Sequence, residues 1–79
     1  MKTAYVIVRN EQGNDIPANV FVYKKESDAM EHLKHVKRYA EYNNALIEAY
    51  LAFAFPFVSF IDDAENKQYT DTMFRVRVK

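Results

Sequence analysis

The chain has no cysteine, one glycine and two prolines. Without cysteine there is no disulfide framework, no thiolate zinc site, no thiol nucleophile and no iron–sulfur ligation. A single glycine cannot build a P-loop or a dinucleotide-binding loop, and so little Gly and Pro excludes collagen-like or linker-like chains. Charge of one sign is missing as well: eleven Lys and Arg balance eleven Asp and Glu, which removes bulk attraction to nucleic acid or an anionic membrane. Long hydrophobic runs are also absent. The stretch Ala4 to Val8 is too short for a signal-peptide core. Leu46 to Ile61 carries Glu48, is interrupted by Pro56 and falls short of the roughly 18 residues of a membrane span. A cytoplasmic chain with no membrane partner is expected.

What is there is a small amount of core. Seventy-nine residues suit a single α+β domain, residues 1–79, and a chain of this size buries only about 60% of the surface its unfolded form exposes. An apolar fraction of 49% is nonetheless too rich for disorder.

Ala4-Tyr5-Val6-Ile7-Val8 and Val20-Phe21-Val22-Tyr23 have strand composition, joined by a long polar turn holding Gly13 and Pro17. Ser27 suits a helix N-cap, and Asp28 and Glu31 place negative charge near the positive end of the helix dipole. From Asp28 to about Phe53 nothing stops a helix until Pro56. Phe57 to Ile61 reads as a central strand and 62–68 as an acidic loop. Met73 to Lys79 alternates strictly, with Phe74, Val76 and Val78 against Arg75, Arg77 and Lys79. The expected architecture is a ββαββ two-layer domain, an antiparallel sheet with one long helix packed on one face.

The expected helix carries two apolar stripes. Ala29, Leu33, Val36, Ala40, Ile47, Leu51 and Ala54 form the core-facing one. His32, His35, Tyr39, Tyr42, Leu46, Tyr50 and Phe53 lie roughly 120° round from it. A helix of about 26 residues would be about 39 Å long, against about 17–23 Å for a strand of five to seven residues. Either it breaks at Asn43-Asn44, the weakest helix formers in its middle, or its second half projects and exposes the aromatic stripe as a partner surface.

Catalytic and metal constellations are thin. Asp28, His32 and His35 share a helical face, but no fourth ligand is in reach. Ser59 sits inside an apolar strand, Asp62 and Asp63 leave a strand in opposite directions, and the span from Asp62 to Asp71 lacks the central glycine of a calcium loop. No enzyme activity, metal or cofactor is expected. If Val6, Val8, Val20, Val22, Val58, Phe60, Phe74, Val76 and Val78 face the helix, the other face shows Tyr5, Ile7, Arg9, Phe21, Tyr23, Lys25, Arg75, Arg77 and Lys79. Rings among cations are the chemistry of a single-stranded nucleic-acid platform. That makes nucleic acid the alternative partner, through Tyr5, Tyr23, Lys25, Arg75 and Arg77.

The leading expectation is a protein-interaction module, with Tyr39, Tyr42, Leu46, Tyr50 and Phe53 as anchors, His32 and His35 at the rim, and a second copy or another protein as partner. In size, in its lack of a catalytic constellation and in its ββαββ layout, the chain resembles small accessory and inhibitor proteins encoded by bacteriophages. The resemblance is one of layout, carries no motif and transfers no residue-level role. It implies a protein that occludes a host enzyme or defence complex.

Overall fold

The computed structural model describes residues 2–52 and 54–78. Its elements are β1 (Lys2–Glu11), β2 (Asn19–Tyr23), α1 (Glu26–Tyr42), β3 (Leu46–Tyr50), β4 (Phe57–Asp62) and β5 (Lys67–Val78). The strands form one five-stranded sheet in the order β2-β1-β5-β4-β3, antiparallel at every step. The helix lies on one face, so the domain is α+β with two layers, as expected, but with five strands rather than four. No helix among the described residues is long and apolar enough to cross a membrane.

The helix is the main correction. It ends at Tyr42 rather than near Phe53, and it breaks at the two asparagines. Asn44 adopts φ 55°, its N–H bonds the Glu41 carbonyl (3.1 Å), and the Ala45 N–H bonds the Ala40 carbonyl (2.7 Å). This is a Schellman closure, which satisfies carbonyls that the helix end would otherwise leave unpaired. The flanking Ala40 and Ala45 are both buried, the apolar contact that accompanies such a stop. Beyond it the chain becomes β3, so Leu46 and Tyr50 are strand residues; Phe53 lies outside the described residues. The helix also starts earlier than expected. Lys25 holds the N-cap position without a side-chain cap bond, and Ser27 falls inside the first turn, while Glu26 pairs with Arg75 of β5 (3.0 Å).

The second correction concerns which side of each strand the helix covers. Ile7 of β1, Met73 of β5 and Val58 of β4 are buried with Ala29 and Leu33 of α1, and Tyr5, Phe21, Tyr23 and Phe60 pack around them. The register pairs Ile7 with Phe21 and Met73, and Tyr5 with Tyr23 and Arg75. Opposite residues in an antiparallel ladder share a face. Val6, Val8, Val20, Val22, Phe74, Val76 and Val78 therefore lie on the side away from the helix. For β4 the expected sides hold; for β1, β2 and β5 they are reversed. Alternation specifies two sets of residues but not which set is covered, and a shift of one residue exchanges them. Strand β5 also begins at Lys67, six residues earlier than expected, which shortens the acidic loop to the turn 63–66.

Asn44 has the conformation that only glycine adopts without cost. Asn44→Gly should leave stability unchanged or slightly raised, whereas Asn44→Ala should lower it by about 1 kcal/mol, read from the midpoint of urea unfolding.

Candidate functional site

Two arrangements stand out: a polar cluster between helix and sheet, and the sheet face that no helix covers.

The cluster is built on Asp71, fully buried in the middle of β5. Cross-strand pairing sets Arg9 of β1 opposite it, and the guanidinium donates two bonds to the carboxylate, Nε to Oδ1 (2.7 Å) and Nη2 to Oδ2 (2.8 Å). Such bidentate geometry is the strongest form of ion pair available to the chain. The rings of Phe21 and Phe60 flank the guanidinium, each centroid 5.3 Å from Cζ. The bonds that Arg9 donates to Asp71 raise its pKa above the ordinary value, outweighing the opposing effect of burial. His32 on α1 brings Nε2 to 3.4 Å from Asp71 Oδ2, while its Nδ1 lies 2.6 Å from the Tyr23 hydroxyl. A carboxylate only accepts, so Nε2 is the donor to Asp71, while Nδ1 shares a hydrogen bond with the Tyr23 hydroxyl, a group able to donate or accept. Among the described residues, no buried side-chain polar atom lacks a partner.

This cluster clamps the helix to three strands, and its groups are occupied by one another. Beside it, a groove of about 500 Å³ has Arg9, His35, Tyr39, Phe60 and Asp62 in its walls. The guanidinium there is committed to Asp71, and the Asp62 carboxylate accepts from the Ala64 N–H (3.0 Å). Asp28 and His35 line the same hollow as His32, but both ring nitrogens of His32 are engaged in the clamp. Among the described residues no group of three His, Asp or Glu side chains is placed to hold a metal ion. Ser59 is bonded by Gln68 (3.2 Å) and Thr70 (3.1 Å), not by a histidine.

The expected aromatic interface does not assemble. Tyr39 and Tyr42 remain on the helix, 67% and 86% exposed, with His35 exposed nearby and His32 half-buried in the clamp. Leu46 pairs with Phe60 on the helix side of the sheet, and Tyr50 pairs with Phe57 on the other, so a strand has put them on opposite faces. The nucleic-acid residues fare differently. Tyr5, Tyr23, Lys25, Arg75 and Arg77 do gather at one end of the sheet, but Tyr5 and Tyr23 pack against the core under the helix. Their ring faces are not an open platform.

The uncovered face is the feature that sequence reasoning placed wrongly. Val20, Val22, Phe74, Val76 and Val78 are exposed there, Val22 to 67%. Val6 and Val8 lie between them. Phe55, at φ 60° and 59% exposed, extends the patch by setting its ring 5.5 Å from that of Phe74. Register places Lys2 and Glu48 on this side as well, at the margins, since Lys2 begins β1 and Glu48 lies on the edge strand β3. The alternation of Phe74, Val76 and Val78 with the arginines marks this stripe in the sequence, but alternation alone does not say which side the helix covers.

No family model, curated protein or solved structure matches the chain.

Removing one member of the clamp should cost much more than removing both. Arg9→Met leaves a buried, unpaired carboxylate and should destabilise by about 3–5 kcal/mol, whereas Arg9→Met with Asp71→Leu should recover most of that loss. A double-mutant cycle by chemical denaturation measures the difference.

Proposed function

We propose that the protein is a non-catalytic interaction module that works as a homodimer, two copies packing the helix-free faces of their sheets against each other. The observation that carries this reading is the composition of β1 and β2. A half-exposed antiparallel strand normally alternates apolar and polar residues, and strands apolar on both sides are normally covered on both. Tyr5-Val6-Ile7-Val8 and Val20-Phe21-Val22-Tyr23 are apolar on both sides, yet one helix covers one side.

A second copy fits the remaining side better than a charged partner does. The face holds no ionisable group in its centre, so self-pairing buries no like charges, and a twofold interface needs only one self-complementary patch. Five strands at about 4.8 Å spacing and six residues at about 3.4 Å give a footprint of about 24 by 20 Å per copy. Doubled, that is about 960 Å², below the roughly 1,200 Å² at which standard specific interfaces begin and within the range of weak, reversible ones. Two such sheets would stack about 10 Å apart, with strands crossing at about 30°. A foreign protein in place of the second copy is the alternative that the resemblance to phage accessory proteins implies, although the fifth strand departs from the ββαββ layout on which that resemblance stands.

Sedimentation equilibrium at micromolar protein should return a dimer. Val22→Lys with Val76→Lys should give a monomer with an unchanged circular dichroism spectrum. Tyr39→Glu with Tyr42→Glu should leave the dimer intact. A monomeric wild type, or a dimer broken by the tyrosine pair and not by the valine pair, overturns the reading.

A further inference from the structure

We infer that the free edge of β5 over residues 74–78 binds an extended peptide segment of alternating acidic and apolar residues, which adds to the sheet as a sixth strand.

The edge exists because β4 is shorter than β5. Pairing with β4 runs from Lys67 to Thr72 and stops, whereas pairing with β1 continues to Val78. The last bond on the β4 side is from the Met73 N–H to the Pro56 carbonyl (2.9 Å). One residue earlier, Phe55 takes a left-handed φ of 60°, which turns the chain out of the strand path. Backbone groups in a strand alternate sides, so the N–H and C=O of Arg75 and Arg77 point the same way as those of Met73. Among the described residues no strand meets them. All five residues from Phe74 to Val78 are exposed, although the strand they belong to runs through the middle of the sheet.

Side chains determine what kind of strand would be accepted. Phe74, Val76 and Val78 project on one side, Arg75 and Arg77 on the other. Arg75 has Glu26 as a partner, and Arg77 makes no ion pair among the described residues. Lys25 stands beside Glu26 at the start of the helix, and register brings Lys2 opposite Val78, so cations dominate this end of the sheet. Directly opposite residues on paired strands interact most strongly. An incoming strand therefore gains from Asp or Glu opposite the arginines and from apolar residues at the intervening positions. Backbone bonding supplies affinity and the alternating side chains supply selectivity in this mode of recognition.

The same pattern excludes a second copy from the edge. The free backbone groups belong to Arg75 and Arg77 in each copy, so antiparallel pairing of two β5 strands would set an arginine opposite an arginine, which is destabilising. Arginines on an open edge also discourage sheet-to-sheet aggregation, and that role needs no ligand. The experiment separates the two. The edge is approached in the plane of the sheet and the proposed dimer face along its normal; Phe74, Val76 and Val78 border both, so Arg75 and Arg77, on the helix side, are the positions that test the edge alone.

The probe is a fluorescein-labelled six-residue peptide alternating Val and Glu, titrated by fluorescence anisotropy at low salt. Saturable binding is expected. It should weaken at least tenfold with Arg75→Glu and Arg77→Glu, and by a similar factor when alternate backbone nitrogens of the peptide are methylated. The Arg75 and Arg77 amides should gain at least tenfold protection from hydrogen exchange when peptide is bound. A Val–Lys peptide should not bind. Equal binding of the methylated and unmethylated peptides, no change in amide protection, or binding of a single-stranded oligonucleotide in place of the peptide overturns the inference.

Discussion

The ion pair between Arg9 and Asp71 determines the orientation of the sheet. A carboxylate buried as completely as Asp71 survives only with its charge matched and its oxygens hydrogen-bonded. The bidentate arginine meets that requirement from the adjacent strand, and His32 adds a third donor from the helix. Once Asp71 is committed to the covered side, Met73 and Arg75 follow it by alternation, and pairing with β1 carries Ile7 and Tyr5 to the same side. Phe21 and Tyr23 of β2 follow in turn. The valines between them have nowhere else to go but the open face.

The same pair accounts for what was legible in the sequence. Strand composition marked β1, β2 and β4, and the helical stripe of Ala29, Leu33, Val36 and Ala40 marked the core side of α1, because these signals are local. The choice of face is not local. A valine stripe is the more obvious core, and an aromatic stripe interrupted by Arg9 looks like a surface. The reading reverses only when Asp71 is recognised as the partner of Arg9, across 62 positions of chain. The end of the helix is a different case. Asn43-Asn44 is its weak point by helix propensity, but propensity alone does not indicate that Leu46 to Tyr50 will pair with Phe57 to Phe60. That short apolar run suits a helix or a strand, and tertiary pairing decided between them.

Stopping the helix at Tyr42 also removes the mismatch of length that motivated a projecting aromatic rod. Seventeen residues make a rod of about 25 Å, close to the width of five strands. The helix therefore covers the centre of one face, and two tyrosines near its end stay in water. Excess apolar surface is still present in this chain, but it belongs to the sheet.

Two kinds of incomplete surface remain, and they call for different complements. The open face of β1 and β2 presents apolar side chains, so what completes it is a second apolar layer with no requirement for strand geometry. The end of β5 presents backbone donors and acceptors flanked by cations, so what completes it must be an extended chain and must carry negative charge. A buried face contributes through area and is insensitive to salt, whereas the edge depends on directional bonds and on charges that salt screens. The register that exposes the valines also sets the arginines on the helix side, so the placement of Asp71 determines what each surface displays, while the shortness of β4 determines that the edge is open.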